Sequence, residues 1–443
     1  MNNDNQNKKY ILFSPVGTHD PIGVSKDGVP SEGSMLHIIR HYKPSIVYLY
    51  ITKELNYNDN RYETAIKEFY PNCEVYNIFS EVEKVNDYDI FMNDFRKYIN
   101  EIHDKYSKDG YEILLNVASG TPAMKSNLLL EVVNSSIKLI PIQVRTPIER
   151  ANFNNEKKIE FDINLLDKIN KDNEDNNNRC SEIKILTFKK TKMHSQIESL
   201  IKRYEYFSAL TLLNDDEYSK ELFDEKIFKY LEHAYLRLNL KYNDSNIEAF
   251  NDYIKKIEDE DIKEFLEYYY VMKVKYKKNE LSDFIIRLTP FTTQLLFIFL
   301  SRNIEELKNI LIKNKKGIRI VNVKNSNDED FKILFDDLKD NGTLFNFSHL
   351  LKMYDFYQKR YNDSGKYFID IMQLLMEIRN IEVKYRNNIA HRMVNMSEDK
   401  VRTDIENILV KCDEFLKITF GDIKLNYFVY DEINKNILEL LQK

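Results

Sequence analysis

The chain has 443 residues, of which 43% are hydrophobic and 31% charged, enough for about two or three domains with proper cores in a soluble globular protein. Its net charge of −6 supplies no global basic field, so any nucleic-acid contact must come from a local patch. The three cysteines, Cys73, Cys180 and Cys412, form no C-x-x-C pair and no zinc spacing, which disfavours a redox motif or a zinc module and fits a reducing cytoplasm.

In chain order, the start Met1–Lys8 is polar and lacks the apolar core of a signal peptide. Residues 10–165 then alternate β-type runs with helical patterns. Tyr10–Phe13, Ile46–Ile51, Glu74–Ile78, Glu112–Val117 and Ile137–Val144 read as strands. Helical spacing falls near Met35–Tyr42, Arg61–Tyr70, Ile90–Tyr106 and Ala123–Asn134. Near-continuous apolar strands alternating with helices predict an α/β domain, a parallel sheet covered on both faces. Ligands of such sheets bind beyond the carboxyl ends of the strands, where the strand order reverses.

Two strand-end loops stand out. The first runs Ser14-Pro15-Val16-Gly17-Thr18-His19-Asp20, the second Asn116-Val117-Ala118-Ser119-Gly120-Thr121-Pro122. In the second, Thr121 suits an N-cap and Pro122 the first helical position, so free amides at a helix start face an incoming anion. The plainer reading, a capped turn without ligand, weakens when two such loops share one sheet. Neither loop is a Walker motif or a G-x-G-x-x-G fingerprint. His37 and His41 share a helix face at i, i+4, but no zincin glutamate follows His37, so a histidine lining the ligand cleft is favoured over a metal site.

The stretch Lys168–Asn178 is rich in Asp, Asn and Lys and is the expected linker, giving domains over 1–170 and 181–443 with a linker at 171–180. From Met193 onward there is one proline, Pro290, and sustained helical spacing, so the second half is all-α. The most apolar run, Pro290–Leu300, is too short to span a bilayer and reads as a buried helix; no membrane is expected. Basic runs at Lys273–Lys278, Lys313–Arg319 and the Lys384/Arg386/Arg392 group are the candidate RNA patches, with solvated faces as the ordinary alternative.

Near the end comes Arg386-Asn387-Asn388-Ile389-Ala390-His391. Histidine moves protons near neutral pH and arginine holds phosphate, a pairing that can cut RNA without metal. The spacing carries little weight alone, since Arg96…His103 also fits an Arg-x(4–6)-His pattern. Apolar residues Leu374, Ile378, Ile381, Tyr385, Ile389 and Met393 make one core-facing stripe, off which Arg386 and His391 lie, and Glu382 stands four residues before Arg386. Five residues of helix separate two side chains by about 140° and about 7.5 Å. Either the helix breaks between them or two copies pool their residues, which predicts a homodimer.

Taken together, the motifs resemble the type III CRISPR-associated CARF–HEPN ribonucleases that act beside the Csm effector complex. The resemblance is carried by Ile11–Gly17, Met35–Pro44, Val47–Tyr50, Ser119–Met124, Ile142–Val144 and the Arg386–His391 motif; the middle, about 190–340, matches only in helical character. It implies an α/β CARF domain followed by an all-α HEPN domain, acting as a cytoplasmic homodimer with a functional link to the effector complex that needs no stable binding. The implied activator is a cyclic oligoadenylate, hexa-adenylate ahead of tetra-adenylate, held by Ser14, Gly17, Thr18, Asp20, His37, Ser119, Gly120, Thr121 and Gln143. No cofactor or metal is implied for cutting single-stranded RNA. His391 would be the acid/base, Arg386 the stabiliser of phosphorane-like charge and Asn387 an orienting residue, leaving a 2′,3′-cyclic phosphate and a 5′-OH. Thr121 is the candidate for slow cleavage of the activator. Two alternatives stay open: a CARF sensor whose HEPN half only dimerises, and a constitutive toxin-like HEPN nuclease. A transcription factor is disfavoured, for want of a compact helix-turn-helix.

Overall fold

The computed structural model describes residues 8–24, 29–55, 60–146, 168–175, 177–241, 253–338, 345–360, 366–421 and 423–442; for 366–370, 387–391, Asp175 and Glu398 it describes the backbone course alone. The chain divides into two compact units, Met1–Ile197 with Thr211–Glu225, and Glu198–Leu210 with Lys226–Lys443.

The first unit contains β1 (Lys9–Pro15), β2 (Ile22–Val24), β3 (Pro30–Glu32), α1 (Ser34–Tyr42), β4 (Ile46–Thr52), α2 (Arg61–Phe69) and β5 (Glu74–Ser80). There follow α3 (Tyr88–Tyr106), β6 (Tyr111–Asn116), α4 (Pro122–Asn134), β7 (Leu139–Val144), α5 (Lys171–Asp175) and β8 (Cys180–Glu182). Strands lie in the order β5-β4-β1-β6-β7-β8. The first five pair in parallel, and β8 closes the edge antiparallel to β7. Strand order therefore reverses between β1 and β6, the two strands whose loops stood out in the sequence.

Alternation along β1 explains the double covering. Ile11 and Phe13 pack with Phe91, Phe95 and Ile99 of α3 and Leu128 and Val132 of α4. Leu12, between them, faces Met35, Ile38 and Ile39 of α1 and Ala65 and Ile66 of α2. Each such buried side chain contributes about 1.5–3 kcal/mol. Local signals agree: the Asp87 carboxylate accepts from the Asp89 and Ile90 amides and starts α3.

The expected linker is a correction. Lys171–Asp175 is helical, Asp172 is buried, and Cys180–Glu182 joins the sheet. Its polar composition misled because Asp172 is buried by ion pairing rather than by apolar packing, which periodicity does not register. The β2–β3 hairpin was also missed; its three-residue strands are too short to show alternation.

Helices α6 (Leu186–Lys202), α7 (Tyr206–Asn214), α8 (Ser219–Leu222) and α9 (Glu225–Leu238) follow. The second unit continues with α10 (Glu260–Lys277), α11 (Leu281–Asn303), the antiparallel pair β9 (Leu311–Lys313) and β10 (Arg319–Val321), and α12 (Glu329–Leu334). It ends with α13 (Phe347–Arg360), α14 (Lys366–His391), α15 (Glu398–Phe420) and α16 (Val429–Leu441). Central α11 packs on α10, α13, α14 and α15. The run Pro290–Leu300 is thus the middle of a 23-residue helix, longer than expected. Its length and apolarity would suffice to cross a membrane, yet 67% of the apolar window is buried within the protein. It is a core helix.

Candidate functional sites: a strand-end crevice and an arginine-bearing helix

The β1 and β6 loops meet at the reversal point around Asp20. Its carboxylate is buried and receives the Gly17 amide (3.0 Å) and the Ser119 hydroxyl on Oδ2, and the Met35 amide (3.2 Å) on Oδ1. Burial nevertheless raises the Asp20 pKa above its ordinary value, with the three hydrogen bonds opposing. Beneath it Asn116, fully buried, donates to the Ser14 hydroxyl (2.9 Å) and the Ser34 hydroxyl (3.1 Å) and accepts the Ala118 amide (3.0 Å).

Gly17 is required for the approach. A Cβ there would stand 2.7 Å from Ser119 Oγ and 3.1 Å from the Gly120 amide nitrogen. Gly120 has φ +81°, where side chains are strained, and its Cβ would meet Met124 Sδ at 2.7 Å. Thr121 caps α4, accepting the Met124 amide at 3.4 Å, while its hydroxyl donates to the Val85 carbonyl at 2.7 Å.

The crevice therefore unites Gly17, Asp20, Ser119, Gly120 and Thr121. Thr18 is exposed on its rim, and Gln143 is exposed near the carboxyl end of β7. Two expected ligand residues need correcting. Ser14 is fully buried, donating to the Pro15 carbonyl (2.9 Å) and accepting from Asn116, so it supports the loop from below. His37 does not line a cleft either. It is fully buried, its Nδ1 3.1 Å from Glu32 Oε2 and its Nε2 accepting the Arg179 amide at 3.0 Å. Glu32, His37 and Asp172 bring three possible metal-ligating atoms within 4.8 Å of one another. Arg40 donates to Glu32 (Nε, 2.7 Å) and Arg179 to Asp172 (3.0 Å), so these carboxylates already have cationic partners, and the cluster ties α1, β3 and α5 together.

Lys125, one turn into α4, was missed. Burial lowers its pKa, and the Asp20 carboxylate opposes the shift. Among the described residues it forms no salt bridge, so a half-buried cation stands beside the crevice. A lysine at the fourth helical position after a Gly-Thr-Pro turn was the available signal.

In the second unit α14 runs unbroken from Lys366 to His391. Leu374, Ile378 and Tyr385 are buried as the stripe predicted, and Ile381 is half-buried; Met393 and the side chain of Ile389 lie outside the described residues. Arg386 is exposed, 3.7 Å from Glu382 Oε1. The side chains of Asn387 and His391 lie outside the described residues, but the backbone removes one option: the helix does not break between Arg386 and His391. The decoy His103 is 3.3 Å from Glu217, an ordinary surface contact.

The other basic runs are largely neutralised. Lys273 pairs with Asp413, Lys275 with Glu280 and Asp283, Lys278 with Glu205, and Lys313 and Arg319 with Asp261. Lys384 is 2.9 Å from Asp404, which with the Tyr385 hydroxyl lowers the Asp404 pKa. Arg392 lies outside the described residues.

A parallel-sheet domain with a glycine- and hydroxyl-lined crevice at its reversal point, followed by a helical domain carrying Arg-Asn-x-x-x-His on one helix, is the arrangement of the CARF–HEPN class. Three family models match in chain order: the Csm6 CARF domain over 72–180, the Csm6 6H domain over 183–238 and the Csm6 HEPN domain over 253–438. The chain belongs to the Csm6 family. It is 27% identical over 465 residues to the CRISPR system endoribonuclease Csm6 of Enterococcus italicus, covering 97% of this chain and 100% of that one. With the Csm6 endoribonuclease of Mycobacterium tuberculosis it shares 26% identity over 439 residues, 97% of this chain and 98% of that one. A solved structure, Enterococcus italicus Csm6 bound to cyclic hexa-2'-fluoro-hexa-dAMP, superposes with a TM-score of 0.72 at 26% identity, covering 98% and 100% of the two chains. The helical middle, featureless in sequence, thus includes a family domain of its own.

Proposed function

We propose that this protein is an endoribonuclease of type III CRISPR defence, switched on by a cyclic oligoadenylate and cutting single-stranded RNA without a metal. The observation that carries the reading is the single chain joining the β1/β6 crevice to the Arg386–His391 helix. The sensor domain extends through β8 in this reading, ten or so residues beyond the boundary the polar stretch suggested.

The activator enters the crevice with its phosphates toward the Gly17 and Gly120 backbone, the α4 start and Lys125, and with Thr18 and Gln143 at the rim. Hexa-adenylate is favoured over tetra-adenylate, because the structurally similar Enterococcus italicus Csm6 holds a hexameric ring. Slow cleavage of the activator through Thr121 requires its hydroxyl to leave the Val85 carbonyl.

In the nuclease site the RNA 2′-OH attacks the adjacent phosphorus and the P–O5′ bond breaks. His391 takes the 2′-OH proton and returns a proton to the leaving oxygen, Arg386 balances charge on the phosphorane, and Asn387 orients the site. An unbroken helix holds Arg386 and His391 about 140° apart, so two copies of α14 contribute to one cleft. Apolar Met376 and Val383 on α14 and Val410 on α15 are 40%, 41% and 67% exposed, and a second copy of the helix pair would cover them. A cytoplasmic location and a functional, not necessarily stable, link to the effector complex belong to the same proposal.

The test is RNA cleavage in EDTA by the wild type, Arg386→Ala and His391→Ala at saturating cyclic hexa-adenylate. Loss in both variants with dimerisation and ligand binding preserved is expected; full activity in either removes that residue from the mechanism.

A further inference from the structure

Glu382 has no solvent exposure, although it stands one turn before a residue placed in the nuclease site. A carboxylate is buried at high cost unless it is paired, so its partners are informative. Three groups reach it, from two helices. The Thr289 hydroxyl of α11 donates to Oε1, the Arg379 guanidinium donates to Oε2, and Arg386 Nη1 stands 3.7 Å from Oε1.

The three contacts are unequal. Thr289 and Arg379 hold the hydrogen-bonding positions, and Arg379 is further seated over the Phe347 ring of α13, 5.2 Å from its centroid. Arg386 is beyond hydrogen-bond reach and within charge attraction, with 45% of its side chain exposed. Among the described residues it donates no hydrogen bond, and its fork of donors suits a phosphate.

We propose that Glu382 is the positioning residue of Arg386, and that Arg379 and Thr289 limit how far it can pull. By occupying the carboxylate, they let it aim Arg386 without closing on it. A free glutamate at i−4 would take the guanidinium for itself; one already engaged on each oxygen, by Thr289 and Arg379, exerts a directional pull and leaves the donors for RNA. This rests on Arg386 being the phosphate-stabilising residue.

Two substitutions separate the roles. Glu382→Gln removes the pull, and misaligned Arg386 should lower kcat on RNA about 10- to 100-fold while KM changes little. Arg379→Ala should also lower kcat, because the freed carboxylate closes on Arg386. In the Glu382→Gln background, however, Arg379→Ala should have no further effect, since no carboxylate remains to close. Cleavage is measured on the full-length protein at saturating cyclic hexa-adenylate, with kcat and KM separated. Multiplying losses in the double variant, or wild-type kcat in Glu382→Gln, overturn the proposal.

If Glu382→Gln fails to fold, Thr289→Val carries the test from the neighbouring helix. A lowered kcat restored by Thr289→Ser supports the proposal, and wild-type kcat in Thr289→Val overturns it. Arg386→Ala run alongside distinguishes the two levels: full activity there ends the nuclease assignment of Arg386 itself, whereas its inactivity beside an unaffected Glu382→Gln ends only the positioning role.

Discussion

Gly17→Ala probes whether the two strand-end loops form one ligand site. The new Cβ would stand 2.7 Å from Ser119 Oγ, closer than real Cβ contacts occur. Ser119 can withdraw only by releasing Asp20, a buried carboxylate that receives its hydroxyl, and otherwise the loops must part. Either route costs about 1–3 kcal/mol, from an unsatisfied buried acceptor or from overpacking. If the bound geometry bears that cost, cyclic hexa-adenylate affinity falls about 5- to 150-fold. Calorimetric titration measures the affinity directly. Arg386 and His391 are left intact, so saturating activator should restore much of the RNA cleavage. Wild-type affinity in Gly17→Ala would refute the placement of the activator between these loops.

Lys125→Met should weaken cyclic hexa-adenylate binding and flatten its salt dependence, because one half-buried cation is lost; an unchanged salt slope would remove Lys125 from the pocket. Burial raises the Asp20 pKa, so its contribution to stability is complete below its ordinary value of 3.8 and is lost as pH rises through the higher folded value. Thermal melts of wild type and Asp20→Asn across that window should therefore show wild type losing ground as pH increases, and a pH-independent difference would contradict the assignment. Mixing Arg386→Ala with His391→Ala protomers should recover part of the cleavage that neither has alone, since one intact arginine and one intact histidine then remain in a pooled cleft. Absence of any recovery in verified heterodimers would count against pooling.

The parallel sheet was legible because its inner strands β1, β4 and β6 are near-continuously apolar and buried and helices such as α1–α3 are amphipathic, signals that survive without tertiary context. The crevice was legible for a different reason: Gly17, Gly120 and Thr121 are local backbone requirements, written where they act. Ser14 and His37 misled because a loop serine or a helical histidine looks the same from the sequence whether it faces a ligand or a buried partner. Asn116 holds Ser14 from another strand, and Arg179 reaches His37 across 142 residues. The segment 171–180 failed as a linker on the same ground, since its Asp172 and Arg179 acquire meaning only beside Glu32 and His37. On α14 the i, i+4 relation of Glu382 to Arg386 was readable, but not Thr289, which arrives from α11.

The most direct test is the rate of single-stranded RNA cleavage by the wild-type protein in EDTA, titrated with cyclic hexa-adenylate and, in parallel, cyclic tetra-adenylate. Low basal cleavage is expected, with strong stimulation by the hexa-adenylate ring at lower concentration than by the tetra-adenylate ring, and products ending in 2′,3′-cyclic phosphate. Cleavage that is absent with both rings, or equally fast with neither, would contradict a gated nuclease.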